Sequence, residues 1–494
     1  MTLLRNGPAG PARSTIESWA ETFPRRLRPT LLLGLIGVTL VAIAVRAPFF
    51  GIAFTAPDTA EYLGVAEGVF HGGYASYLRP PGYATLLAII EVFGVGPIHA
   101  VVVLQNLIGI ALPACVLLAG WRFFSPVVGC VSGFLTAASP LAIAIEQFAL
   151  SDYLFSVLLF ATVVVLAEAV LQMRGRGTLP WRLLVLAGAL FGVATLFRAN
   201  GLFGLIALPA ALLIGGPPWR PALRASAIAM TAMVVVIAPW CIHNLIRFGD
   251  PSVASEGGIS LYARAVSYDE VPPPTATAEG RLANRVYNAA DTNEQEAAVG
   301  TTLGTYVAIV NQTGKSPGDA AGAMGQIARE AILSDLGRYL ERSIEILGRY
   351  QAVYDPQGLD SDPQDQIAIT RGYIRTLDST QREPPGDSAL TRIPWQIAQA
   401  LTKLLFVLTI GGLLMLALPF FGGRRGRLAA STFLLIGLLH ILGATLTARF
   451  EMRHVIVLAP MVWILATATV AQTVSLIVAG MRQLPRRRTQ GAPA

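Results

Sequence analysis

Runs of roughly 15 to 25 apolar residues recur along this chain with almost no charge inside them. A helix needs about 20 such residues to cross the ~30 Å hydrocarbon core of a bilayer. Lipid offers the backbone no hydrogen-bond partners, so spans of this composition are expected to be helices. Only 14% of the 494 residues are charged, against about 25% in soluble domains. The pattern therefore predicts an all-α polytopic membrane protein with about ten transmembrane helices. The expected spans are 30–47, 97–120, 127–145, 153–171, 183–197, 202–215, 225–240, 400–421, 428–447 and 455–480.

Charge divides the rest. The segment 248–395 holds 20 acidic and 12 basic residues, net −8, whereas the remainder is +15, giving the overall +7. An acidic insert on one side of a membrane and a basic face on the other fit this split; a nucleic-acid surface does not. Of the 25 basic residues outside the insert, 18 fall on loops that the span order places on one side. The positive-inside rule makes that side cytoplasmic. Both termini are then cytoplasmic and the insert is extracytoplasmic. Three units follow: 1–247, a membrane module whose first outer loop (47–84) carries interfacial helices; 248–395, a mainly helical insert; and 396–494, closing spans and a basic tail. The long polar lead before the first span argues against a cleavable signal, so that span is expected to stay as an anchor.

The insert opens on the Gly-rich stretch Ser255 to Tyr262, read as a turn. Its best helical signal is Ile327, Ile332, Leu336, Leu340, Ile344 and Leu347. Cys115, Cys130 and Cys241 lie in or beside apolar spans without CxxC spacing, which suits buried inert thiols. His243 and His454 show no HxxH spacing, so no metal site is assigned.

Ionisable groups that depart from the basic-inside pattern gather on the outer side. They include Asp58, Glu61, Arg79, Asp152, Arg198, His243, Arg247, Arg449, Glu451, Arg453 and His454. Charge at a membrane is costly unless it faces a polar cavity or a partner. Asp58 can act as a proton acceptor or cap the helix expected to begin near Thr59. Arg79, Arg449 and Arg453 suit an anionic group, or for Arg79 snorkelling to the headgroup region. Asp152 suits either a helix N-terminus or a sugar or metal. Tyr62, Tyr74, Tyr77 and Tyr83 can stack on a ligand, or form an interfacial belt.

The order of these pieces resembles a family. Asp58-x-x-Glu61-Tyr62 is followed by Arg79-Pro80-Pro81-Gly82-Tyr83, Ser151-Asp152, Glu256 to Tyr262, and Arg449-x-x-x-Arg453. It is similar to the GT-C superfamily of membrane glycosyltransferases, in particular relatives of the protein O-mannosyltransferases and the lipid A aminoarabinose transferase. The likeness covers most of 30–262 and 400–480. It implies an inverting transfer of a sugar from a polyprenyl-phosphate donor to a hydroxyl of a lipid, glycan or protein acceptor, at the outer face of a bacterial inner (plasma) membrane. In that setting Asp58 is the catalytic base, and Glu61, Arg79, Tyr83, Asp152, Arg198, Arg449 and Arg453 bind substrate. Many members have Asp followed directly by Glu, whereas Thr59 intervenes here, which unsettles Glu61 more than Asp58. Mannose, arabinose, aminoarabinose and galacturonic acid donors occur among such proteins, which also differ in needing a divalent cation. The alternatives are a transporter or lipid flippase of the cell-envelope pathway and a non-catalytic scaffold. No internal repeat of the transporter kind is visible.

Overall fold

The structure, a computed structural model, describes residues 28–55, 57–70, 78–215, 218–289, 294–352, 424–447 and 457–483. Among them there is no strand, only an isolated parallel bridge between Phe54 and Phe148. Five helices are long and apolar enough to cross a membrane, and five shorter apolar helices accompany them. The chain is a polytopic helical membrane protein.

The helices, in chain order, are α1 (Arg28–Arg46), α2 (Pro57–Val69), α3 (Pro81–Val92), α4 (Pro97–Phe123), α5 (Pro126–Ala137), α6 (Pro140–Gln147), α7 (Ser151–Arg176), α8 (Trp181–Phe197), α9 (Gly204–Gly215) and α10 (Trp219–Phe248). The insert supplies α11 (Glu256–Tyr262), α12 (Ala278–Ala289), α13 (Glu294–Thr313), α14 (Pro317–Ser334) and α15 (Leu336–Ala352); α16 (Arg424–Thr447) and α17 (Ala459–Gln483) close the described chain. Eight expected spans each coincide with one helix, 127–145 is divided between α5 and α6, and 400–421 lies outside the described residues.

Two local expectations are corrected, and the helical signal of the insert resolves into two helices. The apolar run 127–145 is not one helix: it breaks at Ala138–Ser139. Pro140 has no N–H to continue the ladder, and the Ser139 hydroxyl accepts from the Ala142 N–H at 3.4 Å to start α6. The apolar series 327–347 is likewise two helices, because the Asp335 carboxylate accepts from the Arg338 N–H at 3.0 Å and caps α15. The stretch after Ser255 is helical, not a turn. Its Gly258 lets α11 lie directly on α14, since a Cβ there would collide with the Ala321 carbonyl.

The membrane core joins α7 and α8 to α4, α9, α16 and α17 through buried Phe155, Leu159, Phe191, Phe433 and Ile464. The insert has its own core around Tyr262, Ile309, Met324 and Ile327. Two buried ion pairs brace the bundle: Arg46 with Glu146, and Arg122 with Glu168 at the far end of α4. Arg46 also donates to the Ala137 carbonyl at 2.9 Å. That carbonyl ends α5, where the helix break leaves it without an intrahelical donor.

Candidate functional site

The site is assembled where α2, α3, α7, α8 and α11 end or begin. Backbone bonds fix the entry to α2: the Phe54 N–H donates to the Gln147 carbonyl at 2.7 Å, and the Ala149 N–H to the Phe54 carbonyl at 2.9 Å. Thr59 continues the clamp, donating its hydroxyl to the Ala149 carbonyl at 3.0 Å. The first turn of α2 is therefore locked to the α6–α7 link. The helix starts at Pro57, so Asp58 stands inside the first turn and not at the capping position the sequence suggested.

Arg79, one residue before the Pro80-Pro81 start of α3, is the hub. It donates from Nη2 to Asp58 at 2.9 Å and from Nε to Glu61 at 2.8 Å. From Nη1 it donates to Glu256 of the insert. Burial disfavours charge on Arg79, but Glu256, Asp58 and Glu61 outweigh it and raise its pKa. It stays a cation. The Asp58 and Glu256 side chains are 18% and 29% exposed, so both remain reachable from solvent. A second tie holds the insert in place: the Glu256 N–H donates to the Leu78 carbonyl at 3.2 Å.

Below this cluster, Tyr62 shares a 3.0 Å hydrogen bond with Ser151 and meets Tyr83 edge-on at 4.9 Å. Burial, opposed by the Arg79 charge, raises the Tyr62 pKa, so the phenol keeps its proton. Tyr83 is fully buried and its hydroxyl points to Gln105 at 3.5 Å. Gln105 in turn donates to the Glu146 and Phe148 carbonyls at 2.8 Å each. Asp152, buried in the first turn of α7, pairs with Arg198 just past α8. Tyr306 on α13 has its pKa raised first by burial and then by the Glu61 charge.

Asp58, Glu61 and Arg79 thus form one cluster, Asp152 and Arg198 an adjacent pair, and Tyr83 part of the floor. Arg449 and Arg453, with Tyr74 and Tyr77, lie outside the described residues. The sequence marks Glu256 without giving it a role; its signal was an acid before two glycines at the start of the insert. Among the described residues no group of three His, Cys, Asp or Glu is arranged to hold a metal. The guanidinium of Arg79 stands between Asp58, Glu61 and Glu256.

Beside the cluster runs an open apolar groove of about 570 Å³, lined in part by Pro81, Leu86, Ile89, Phe197, Val236 and Trp240. It lies between α3, α8 and α10, and its lining includes Pro81, two residues after Arg79, and Phe197, next to Arg198.

Fold and site together define a polytopic helical membrane protein with a charged cluster at its helix ends and an apolar groove along α3, α8 and α10. Residues 79–243, a third of the chain, match the family described as dolichyl-phosphate-mannose-protein mannosyltransferase, in keeping with the resemblance to GT-C glycosyltransferases. Among solved structures, the chain is similar to the oligosaccharyltransferase AglB from Archaeoglobus fulgidus in complex with an inhibitory peptide and a dolichol-phosphate. The identity is 13% over 93% of this chain and 52% of that one, with a TM-score of 0.48. It is also similar to ArnT from Cupriavidus metallidurans bound to undecaprenyl phosphate, at 16% identity over 90% of this chain and 79% of that one, with a TM-score of 0.36. The chain spans about half the length of the oligosaccharyltransferase. Among curated proteins, none matches it.

Proposed function

We propose that this protein is an inverting glycosyltransferase that moves a sugar from a polyprenyl-phosphate donor to an acceptor hydroxyl. The acceptor oxygen attacks the anomeric carbon, the bond from that carbon to the phosphate oxygen breaks, and the prenyl phosphate leaves with the electron pair. The hydroxyl proton goes to Asp58. A hydroxyl is a weak nucleophile, and a positioned carboxylate contributes about 10²–10⁴-fold. The developing charge on phosphate calls for cations. Arg198, Arg449 and Arg453 are proposed for that part, since Arg79 is shared among three carboxylates whereas Arg198 pairs with Asp152 alone among the described residues. Glu61 is proposed to orient Arg79, Asp152 to orient Arg198, and Tyr83 to support Tyr62 from below.

The observation that carries the reading is a solvent-reachable carboxylate pinned by Thr59 and Arg79, with an apolar groove running along α3 and α8, the helices that Arg79 precedes and Arg198 follows. A prenyl phosphate needs both environments at once. The reaction is proposed for the extracytoplasmic face of a bacterial inner membrane, with the insert 248–395 closing over the pocket and both termini cytoplasmic. The test is a transfer assay with protein in nanodiscs, radiolabelled undecaprenyl-phosphate sugars (mannose, arabinose, aminoarabinose, galacturonic acid) and cell-envelope acceptors. Label appearing in glycolipid or glycoprotein supports the reading. Label crossing a proteoliposome membrane without transfer would establish a transporter instead.

A further inference from the structure

The insert is more than a cover, because it delivers a third carboxylate to Arg79. We propose that Glu256 is a positioning residue for the proposed reaction: by drawing on the Arg79 guanidinium it keeps that cation from neutralising Asp58, and so leaves Asp58 basic enough to take a proton. This rests on Asp58 being the base. The geometry is specific. Arg79 has three directed edges, and Asp58, Glu61 and Glu256 each take one. A carboxylate that owned the guanidinium alone would be a poor base, since an adjacent opposite charge holds it ionised. Sharing that cation among three carboxylates weakens the hold on each.

Glu256 is also placed independently of its charge. Its backbone N–H is bonded to the Leu78 carbonyl, and Gly258 seats α11 against α14 in the core of the insert. Whatever moves that core moves Glu256 relative to Arg79. The charged and titratable groups around the trio, among the described residues, are Glu61 and Tyr62 on α2, Tyr83 on α3, Asp152 on α7, Arg198 after α8 and Tyr306 on α13. Each of these stays unchanged when Glu256 alone is replaced by Gln, which keeps the shape and an acceptor oxygen.

The experiment reads Asp58 directly. Full-length protein in nanodiscs is treated with a water-soluble carbodiimide and an amine across a pH series, since the reagent modifies protonated carboxyls, and the Asp58 peptide is quantified by mass spectrometry. The midpoint of modification is expected to fall by about one pH unit in Glu256→Gln, the scale of one neighbouring charge, and to return toward the original value in Glu256→Asp. The acid limb of the transfer rate is expected to move with it. A midpoint that stays in place in Glu256→Gln overturns the inference, whatever the rate does. A midpoint that moves while Asp58→Asn retains full transfer leaves the electrostatic coupling standing but removes Asp58 as base, and with it the proposed role in the reaction.

Discussion

Arg46 and Glu146, 100 positions apart in the chain, meet as a two-pronged ion pair that is almost wholly buried, with both contacts at 2.7 Å. The pair ties the end of α1 to the broken segment between α5 and α7, on which the first turn of α2 is clamped. Gly109 makes the space, because a Cβ there would run into the Glu146 carboxylate. Removing one member of a buried pair strands the other charge, at a cost of about 3–5 kcal/mol. Glu146→Ala should therefore lower the unfolding temperature in detergent strongly. The double change Arg46→Met with Glu146→Leu, which leaves no stranded charge, should lower it less.

Thr59 reaches across to the Ala149 carbonyl, so Thr59→Val keeps the shape and removes the bond. The expected stability loss is about 1 kcal/mol, read by thermal unfolding. Transfer should fall by more than that small loss explains, because Asp58 is the adjoining residue and loses its register.

Arg79 presents three directed N–H edges to three carboxylates. A lysine ammonium is a point charge on a flexible stem and cannot hold that fan. Arg79→Lys is expected to remain folded by size-exclusion chromatography and to lose about 10²-fold in transfer, the scale of a misplacement of about 1 Å.

Val236 faces the apolar groove. Val236→Trp should raise KM for a long-chain donor about tenfold, the worth of about two buried methylenes. The value of kcat at saturation, and KM for a donor with a very short prenyl chain, should change little. A fall in kcat with KM unchanged would place the prenyl chain elsewhere.

The fold was legible because lipid imposes a single requirement, long apolar runs with satisfied backbones, and that requirement is written locally. The break before Pro140 was less visible, since apolar residues flank it on both sides and only the proline and the capping Ser139 mark it. Pairing was not legible. Arg46 looks like a span flank and Glu146 like a loop residue until the bundle brings them together. Asp58, Glu61 and Arg79 could be singled out, because charges so close together in a mostly apolar chain need a reason. That Arg79 would be shared among three carboxylates depended on Glu256, which lies 177 residues away. Two glycines after Glu256 read as a turn, whereas one of them is there for helix contact. Arg449 and Arg453 fall outside the described residues and keep the role that resemblance suggests.

Asp58→Asn is the most direct measurement. Asparagine keeps size and can still accept from Arg79, but it cannot take up the acceptor's proton. With a donor that the native protein uses, transfer is expected to drop by about 10²–10⁴-fold while donor binding, followed by photocrosslinking of a prenyl-phosphate probe, persists. Transfer at the native rate in Asp58→Asn would contradict the account.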